Sequence, residues 1–250
     1  MRNVGRLVGM LLVATLALQL FFLLRIALMT VVAPESTTFQ RSEIWRIVLA
    51  KHQLPWLQDG VPGSRISDNL RRAVIASEDA GFVEHHGVEW DAVEKAWNRN
   101  EKAQARAEAQ QSRATRRGRD GKPREVVAKV VGGSTISQQL AKNLFLSGER
   151  NILRKGQELV ITFMLEFVLG KERILTTYLN NVEWGEGVFG AQAASEHYFR
   201  TNAATLGAAQ AARLAVMLPA PKRFEKAPSS PYVLGRSATI VARMGGVDLP

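Results

Sequence analysis

Two stretches of this chain carry residue types that can do chemistry. Glu78 to Gly87 reads EDAGFVEHHG, and Gly132 to Leu146 reads GGSTISQQLAKNLFL. In the first, an apolar spacing through Leu70, Val74 and Ile75 predicts a helix over Ile66–Glu78, which leaves Glu78 at a helix end. The Gly81-Phe82 break that follows can set a carboxylate beside apolar surface. Such a setting raises the pKa of a carboxylic acid toward the range of a general base. His85 and His86 are adjacent, so their side chains diverge, and with Glu78 they miss the spacing of a zinc-binding helix. A structural histidine is the simpler reading. In the second stretch a glycine pair opens onto a helix that Ser134 or Thr135 can cap. Ile136, Leu140 and Leu144 make an apolar seam, while Gln138 and Lys142 share one face and Gln139 and Asn143 another. Amides and a lysine behind a Gly-Gly turn suit a polar or anionic ligand, although an ordinary surface helix can carry the same stripe.

Two weaker constellations follow. Arg154-Lys155-x-x-Glu158 places both cations within one helical turn of a carboxylate, a spacing also found in ordinary intrahelical ion pairs. Lys171 to Phe199 has an apolar helical seam, a break at Trp184-Gly185-Glu186-Gly187, and then another helix. Glu183 and Glu186 beside Trp184 can line a sugar groove, but glycine is expected wherever a backbone turns tightly.

Helices must position these groups. Periodicity predicts further helices over Asp91–Trp97, Asn151–Phe167, Lys171–Val182 and Ala203–Leu218, with Gly170 separating the middle two. No β-alternation of useful length and no internal repeat appears. Ahead of the body, Arg2 and Arg6 precede an apolar run from Val8 to Leu24, and a second run from Ile26 to Val32 follows Arg25. Together they are long enough to cross about 30 Å of hydrocarbon. Pro34 stands directly after the only candidate cleavage site, so a retained anchor fits better than a signal peptide. Basic residues before the span argue for a cytoplasmic N-terminus and a body on the far side. The expected organisation is an N-terminal tip and anchor (1–33), a linker (34–41), one domain (42–235) and a tail (236–250).

The 250 residues hold no cysteine, which excludes disulfides, thiolate catalysis and cysteine metal sites. Net charge is +10, a balance that favours anionic partners. Between Arg99 and Lys129 there are ten Lys/Arg against four acidic residues. With hardly a large apolar side chain before Val126, this stretch reads as a mobile, solvated loop, although its alanine and arginine content would permit helix over Glu101–Gln110. It has no interleaved aromatics to stack bases, so contact with anionic lipid is favoured over nucleic acid.

Taken together, these segments resemble the peptidoglycan glycosyltransferases of family 51. The likeness runs from about Leu70 to Phe224. It rests on Glu78, Asp79, Phe82, His85 and Gly87, on GGSTISQQLAKNLFL, on Arg154, Lys155 and Glu158, on the Lys171–Phe199 stretch, and on LAVMLPAPKRF from Leu214 to Phe224. No Ser-x-x-Lys or Lys-Thr-Gly is present, so the transpeptidase machinery of the bifunctional relatives is missing. Glu89 stands where the family usually has aspartate, and the basic stretch is longer than expected between the first two motifs.

The resemblance implies a mainly α fold, with a lysozyme-like head, a small membrane-proximal jaw and one transmembrane helix. It implies polymerisation of lipid II onto a polyprenyl-diphosphate-linked glycan by β-1,4 bonds, at the cell inner membrane, with the catalytic domain periplasmic. Glu78 would be the general base and Glu158 the second carboxylate. Lys142, Arg154 and Lys155 would meet the pyrophosphate, and Gln138 and Gln139 the sugar or phosphate. Asp79, Phe82, His85, Ser134, Thr135, Asn143 and Glu183 would complete the substrate site. No cofactor would be required, with a divalent cation (Mg or Mn) as an aid to the pyrophosphate. Other partners would be anionic lipids and proteins of cell-wall synthesis or division, but not nucleic acid. An apolar patch around Trp45, Leu54 and Trp56 would dip into the bilayer. A lytic glycosidase with a similar head and a non-enzymatic basic tether remain as rival readings.

Overall fold

In the computed structural model, which describes residues 2–116, 133–146 and 151–250, the apolar N-terminal stretch forms one helix, α1 (Arg2–Leu28). Its Asn3–Leu28 portion, 26 residues with a mean hydropathy of 2.5 over an 18-residue window, is long and apolar enough to cross a membrane. The elements that follow are α2 (Thr38–Lys51), β1 (Leu57–Gln58), α3 (Asp68–Glu78), α4 (Trp90–Arg116), α5 (Ile136–Phe145), α6 (Ile152–Asn181), β2 (Glu183–Gly185), β3 (Val188–Phe189), α7 (Ala191–Phe199), α8 (Ala208–Met217), α9 (Pro221–Phe224) and α10 (Pro231–Met244). The protein is mainly α. Met1–Gly87 and Ile136–Pro250 form one unit, and Val88–Thr135 a second.

In the first unit, α3, α8 and α10 pack mutually, and α5 packs on α6. Alanine makes the former close: Ala73 on α3 and Ala211, Ala212 and Ala215 on α8 are fully buried beside Leu70, Val74 and Val233. α10 crosses the boundary expected between domain and tail at 235/236. Val233, Ser237, Ile240 and Met244 are all buried, so residues to Met244 belong to the body. The end of the expected linker, residues 37–41, likewise belongs to the first turn of α2 and its cap. Thr37 and Gln40 are fully buried and cap α2 reciprocally: the Gln40 N–H donates to the Thr37 hydroxyl (3.1 Å) and the Thr37 N–H to the Gln40 amide oxygen (2.8 Å).

The anchor is docked at its C-terminal end. Phe22, Ile26 and Met29 enter the core, and Phe22 meets Phe145 of α5 edge-on at 5.4 Å between centroids. Gln19 and Gln157 of α6 exchange amide hydrogen bonds (2.8 and 3.0 Å), and Arg173 Nε donates to the Met29 carbonyl (2.8 Å). The rest of α1 exposes its leucines and valines, as a lipid-facing helix does.

α6 holds the two helices expected on either side of Gly170. That residue has φ 70° and ψ 164°, a conformation essentially restricted to glycine, and it bends the chain between them. The helix expected over Ala203–Leu218 is instead a 3-10 turn, Ala203–Thr205, followed by α8. The two- and three-residue strands form a small sheet in the order β1-β3-β2, with β1 parallel and β2 antiparallel to β3. Strands this short are below the reach of an alternation pattern.

In the second unit α4 continues to Arg116, so residues 99–116 are helical and not the loop expected there. Glu, Lys, Ala, Gln and Arg dominate that run and are the strongest intrinsic helix formers. The remainder of the expected loop, 117–129, lies outside the described residues.

β2 carries a buried charge network. Glu183 is 6% exposed and lies 3.5 Å from Lys222 Nζ of α9, which also pairs with the buried Glu43 of α2. Arg46 bonds both Glu43 (2.8 Å) and Glu186 (2.9 Å). Burial pushes the Glu183 carboxyl up to about 7, and Lys222 only partly offsets it. A carboxyl raised in the fold favours folding at low pH, and that stability is lost as pH rises from the ordinary carboxylate range through about 7.

Two outcomes are expected in denaturation of the full chain in detergent. Native stability falls by roughly 1–3 kcal/mol between pH 5 and pH 8, and Glu183→Gln removes most of that slope. Gly170→Ala costs about 1–3 kcal/mol at any pH, because its backbone conformation is strained for a residue with a Cβ.

Candidate active site

α3 begins where the Ser67 hydroxyl accepts the Leu70 N–H (3.2 Å) and stops at Glu78, because Asp79 (φ −161°, ψ 72°) leaves the helical region. The chain then turns back through Phe82, which is fully buried and carries Lys171 Nζ 4.5 Å above its ring. Asp79 organises the turn. One carboxylate oxygen bonds His85 Nε2 (2.8 Å), and the other accepts the N–H of Ile136, the first residue of α5 (2.9 Å). His85 Nδ1 accepts the Gly87 N–H (3.1 Å), an arrangement that leaves Nε2 to donate to Asp79. Gly87 has φ 91°, and a Cβ there would lie 2.8 Å from the Thr162 methyl. Only glycine fits where this turn meets α6.

Asp79, Phe82 and His85 therefore engage protein partners. Their side chains are buried, and both ring nitrogens of His85 are occupied. These contacts shape the turn that carries Glu78. The Ile136 N–H goes to Asp79, so a carboxylate from a distant segment helps cap α5. Ser134, exposed, and Thr135, buried, belong to the second unit.

Glu78 is half-buried. Its Oε2 accepts from the Gln139 amide (3.1 Å), and Ser77 Oγ makes a long 3.4 Å contact to Oε1. Burial pushes its carboxyl above the usual range and the Asp79 charge adds to this, while the Gln139 and Ser77 hydrogen bonds pull it back. The other end of the Gln139 amide accepts from the Tyr178 hydroxyl (2.9 Å). Gln139 thus links the Glu78 carboxylate to the Tyr178 hydroxyl. Further along α5, Gln138 is buried, Asn143 is half-buried and Lys142 is exposed.

At the start of α6 the Asn151 side chain accepts the Arg154 N–H (2.7 Å) and caps the helix. Glu158, 4% exposed, accepts from Arg154 Nη1 (3.3 Å) and also from Lys155 Nζ. One carboxylate so holds two cations side by side, and Arg154 Nε is buried without a hydrogen-bond partner. Glu183 lies apart, in the β2 network with Lys222 and Glu43; its burial places it in no open groove.

Several participants carried no sequence signal. Tyr178 sits in an apolar helical seam and reads as core. Ser137 and Lys171 converge on Glu166, whose Oε1 bonds both, and so tie α5 to the bend of α6. Among the described residues no group of three or more His, Asp or Glu is arranged to hold a metal ion.

The constellation is thus a half-buried carboxylate primed to take a proton, and a helix N-terminus bearing paired cations. Comparison with known proteins gives it a context. The family model described as transglycosylase matches residues 51–110 and 123–245. A protein of Cupriavidus pinatubonensis is 50% identical over 259 residues, covering 100% of this chain and 92% of that one. One of Paraburkholderia xenovorans is 48% identical over 239 residues (95% and 90%), and one of Bordetella pertussis 49% over 217 residues (87% and 82%). All three are called biosynthetic peptidoglycan transglycosylase. Matched over most of its body by the family model, and near half identity to these relatives almost end to end, the chain belongs to the transglycosylase family.

Proposed function

We propose that this chain polymerises lipid II into β-1,4 glycan strands at the outer face of the cell inner membrane. The observation that carries the reading is Glu78, a half-buried carboxyl raised by desolvation and held by Gln139 on one oxygen, with only a long Ser77 contact on the other. A sugar hydroxyl is a weak nucleophile and needs such a base. The 4-hydroxyl of the acceptor gives its proton to Glu78 Oε1, the oxygen left more open. Its oxygen forms the new bond to the anomeric carbon as the bond to the pyrophosphate breaks, with inversion. The departing diphosphate carries off the electron pair and gathers negative charge.

Arg154, Lys155 and Lys142 supply the cations that this charge requires, and the N-terminus of α6 adds its dipole. Glu158 holds the two α6 cations against their mutual repulsion. Gln138, Asn143, Ser134 and Thr135 remain as candidates for sugar or phosphate contact. The reaction needs no cofactor; Mg or Mn would enter with the pyrophosphate.

The membrane location is supported by α1 and by a second apolar surface. Leu153, Val160 and Phe167 recur seven apart on α6, and with Ile152 and Phe163 they form one exposed face. Leu153 and Phe167 are 87% and 90% exposed. Trp45 and Leu54 are also exposed, whereas Trp56 stacks on Phe189 at 4.6 Å and is tied to the body. Arg2 and Arg6 keep the N-terminus cytoplasmic and the body periplasmic. The basic charge suits anionic lipids, and cell-wall synthesis or division proteins are the natural protein partners.

The test is polymerisation of purified lipid II by the full chain in bilayers. Long glycan is expected. Cut glycan from preformed strands, or no product, would reject the reading in favour of a lytic enzyme or a passive tether. Glu78→Gln should lose about 10²–10⁴-fold in turnover while far-ultraviolet circular dichroism stays native. Arg154→Ala and Lys142→Ala should each lose on the order of 10²-fold, with full activity in either variant removing that cation from the mechanism.

A further inference from the structure

The Tyr178 ring is 1% exposed, and its hydroxyl reaches Gln139 Oε1 at 2.9 Å. A glutamine amide can adopt two orientations related by a flip. In the orientation seen, Nε2 donates to Glu78 Oε2. Flipped, Oε1 would face Oε2: an ionised carboxylate repels it, whereas a protonated carboxyl donates its O–H to it. The phenol decides between them. Burial, together with the charges of Glu78 and Asp79, keeps it protonated. Its proton therefore needs an acceptor, and Gln139 Oε1 is the one the structure provides. A flip would leave that proton unpaired in an apolar interior.

Resting on the reading of Glu78 as the base, we infer that Tyr178 is a positioning residue. Through Gln139 it holds Glu78 in the ionised, proton-accepting form. The chain spans three helices: Glu78 ends α3, Gln139 lies on α5 and Tyr178 on α6. The other groups near the carboxylate are consistent with this. Ser77 offers only a long contact, and Asp79 is engaged by His85 and the Ile136 N–H. From α5 the facing group is neutral Gln139; Lys142 lies three residues further on and is exposed. From α6 it is the phenol itself.

The sign follows directly. Without the phenol, Gln139 is free to flip, the protonated form of Glu78 is favoured, and its pKa rises. A base with a raised pKa is lost at higher pH, so the acid limb of activity moves upward.

The experiment has two arms on the full chain in detergent. In the first, the side-chain carboxyls of glutamate are labelled with 13C and titrated by NMR, the Glu78 signal being the one missing from Glu78→Gln. Tyr178→Phe should raise the Glu78 pKa by about one unit. In the second, kcat for lipid II polymerisation is measured against pH. The acid limb should move up by the same amount, with about tenfold loss below it and a plateau within about twofold of native. Equal loss at every pH, with the Glu78 titration unmoved, would mark Tyr178 as packing only and overturn the inference.

Gln139→Met guards against a folding defect. It should raise the Glu78 pKa by itself, and adding Tyr178→Phe should shift nothing more. No shift in Gln139→Met, or a further shift on adding Tyr178→Phe, would overturn the relay. A shifted titration in a chain whose native form makes no glycan would instead leave the relay standing and defeat the proposed reaction.

Discussion

The site depends on a single carboxylate accepting from two directions. Asp79 takes the His85 ring on one oxygen and the first N–H of α5 on the other, and is 4% exposed. A buried carboxylate is costly unless it is hydrogen-bonded, and here the helix end supplies both a donor and a favourable dipole. The consequence is geometric. Fixing the start of α5 against the turn after α3 brings Gln139 to Glu78, although 61 residues separate them. His85 and Gly87 complete the brace, and Gly87 lets the turn close against α6.

The proposed chemistry divides charge between two places, each handled differently. At Glu78, partial burial disfavours the ionised form while Gln139 restores some of it, leaving a carboxyl held above the usual carboxylate range. At the start of α6 the problem is reversed. Arg154 and Lys155 would repel each other, and the nearly buried Glu158 holds them together. Glu166 does similar work at the other end of the first α6 segment, where Ser137 and Lys171 meet on it. Carboxylates thus act as base, clamp and brace within one helical framework.

Much of the framework was legible as periodicity. The seam of Ile136, Leu140 and Leu144 is buried as its spacing requires, Glu78 does end α3, and Gly170 does interrupt α6. The Arg154–Glu158 pair, four residues apart on one helix, was readable for the same reason. What escaped was long-range. Tyr178 looks like any aromatic in a core seam until Gln139 is placed against its hydroxyl. Asp79 and His85 carried a motif signal that could not say whether they face a ligand or each other. Glu183 beside a Trp-Gly turn suggested a groove, but α2 and α9 close over it with Glu43 and Lys222. Composition misread 99–116 as loop because it tracks the lack of apolar surface, whereas α4 there is sustained by local propensity.

The docking of α1 has a practical meaning. Phe22, Ile26 and Met29 belong to the same core as Leu140 and Leu165. The segment that crosses the bilayer and the segment that completes the fold are one continuous helix. Severing the chain at the membrane boundary, as one would to obtain a water-soluble fragment, would uncover Phe145 and strip Gln157 and Arg173 of their partners. Such a fragment would carry a wound that invites aggregation. Side-chain packing, and not a flexible tether alone, thus joins the apolar helix to the body.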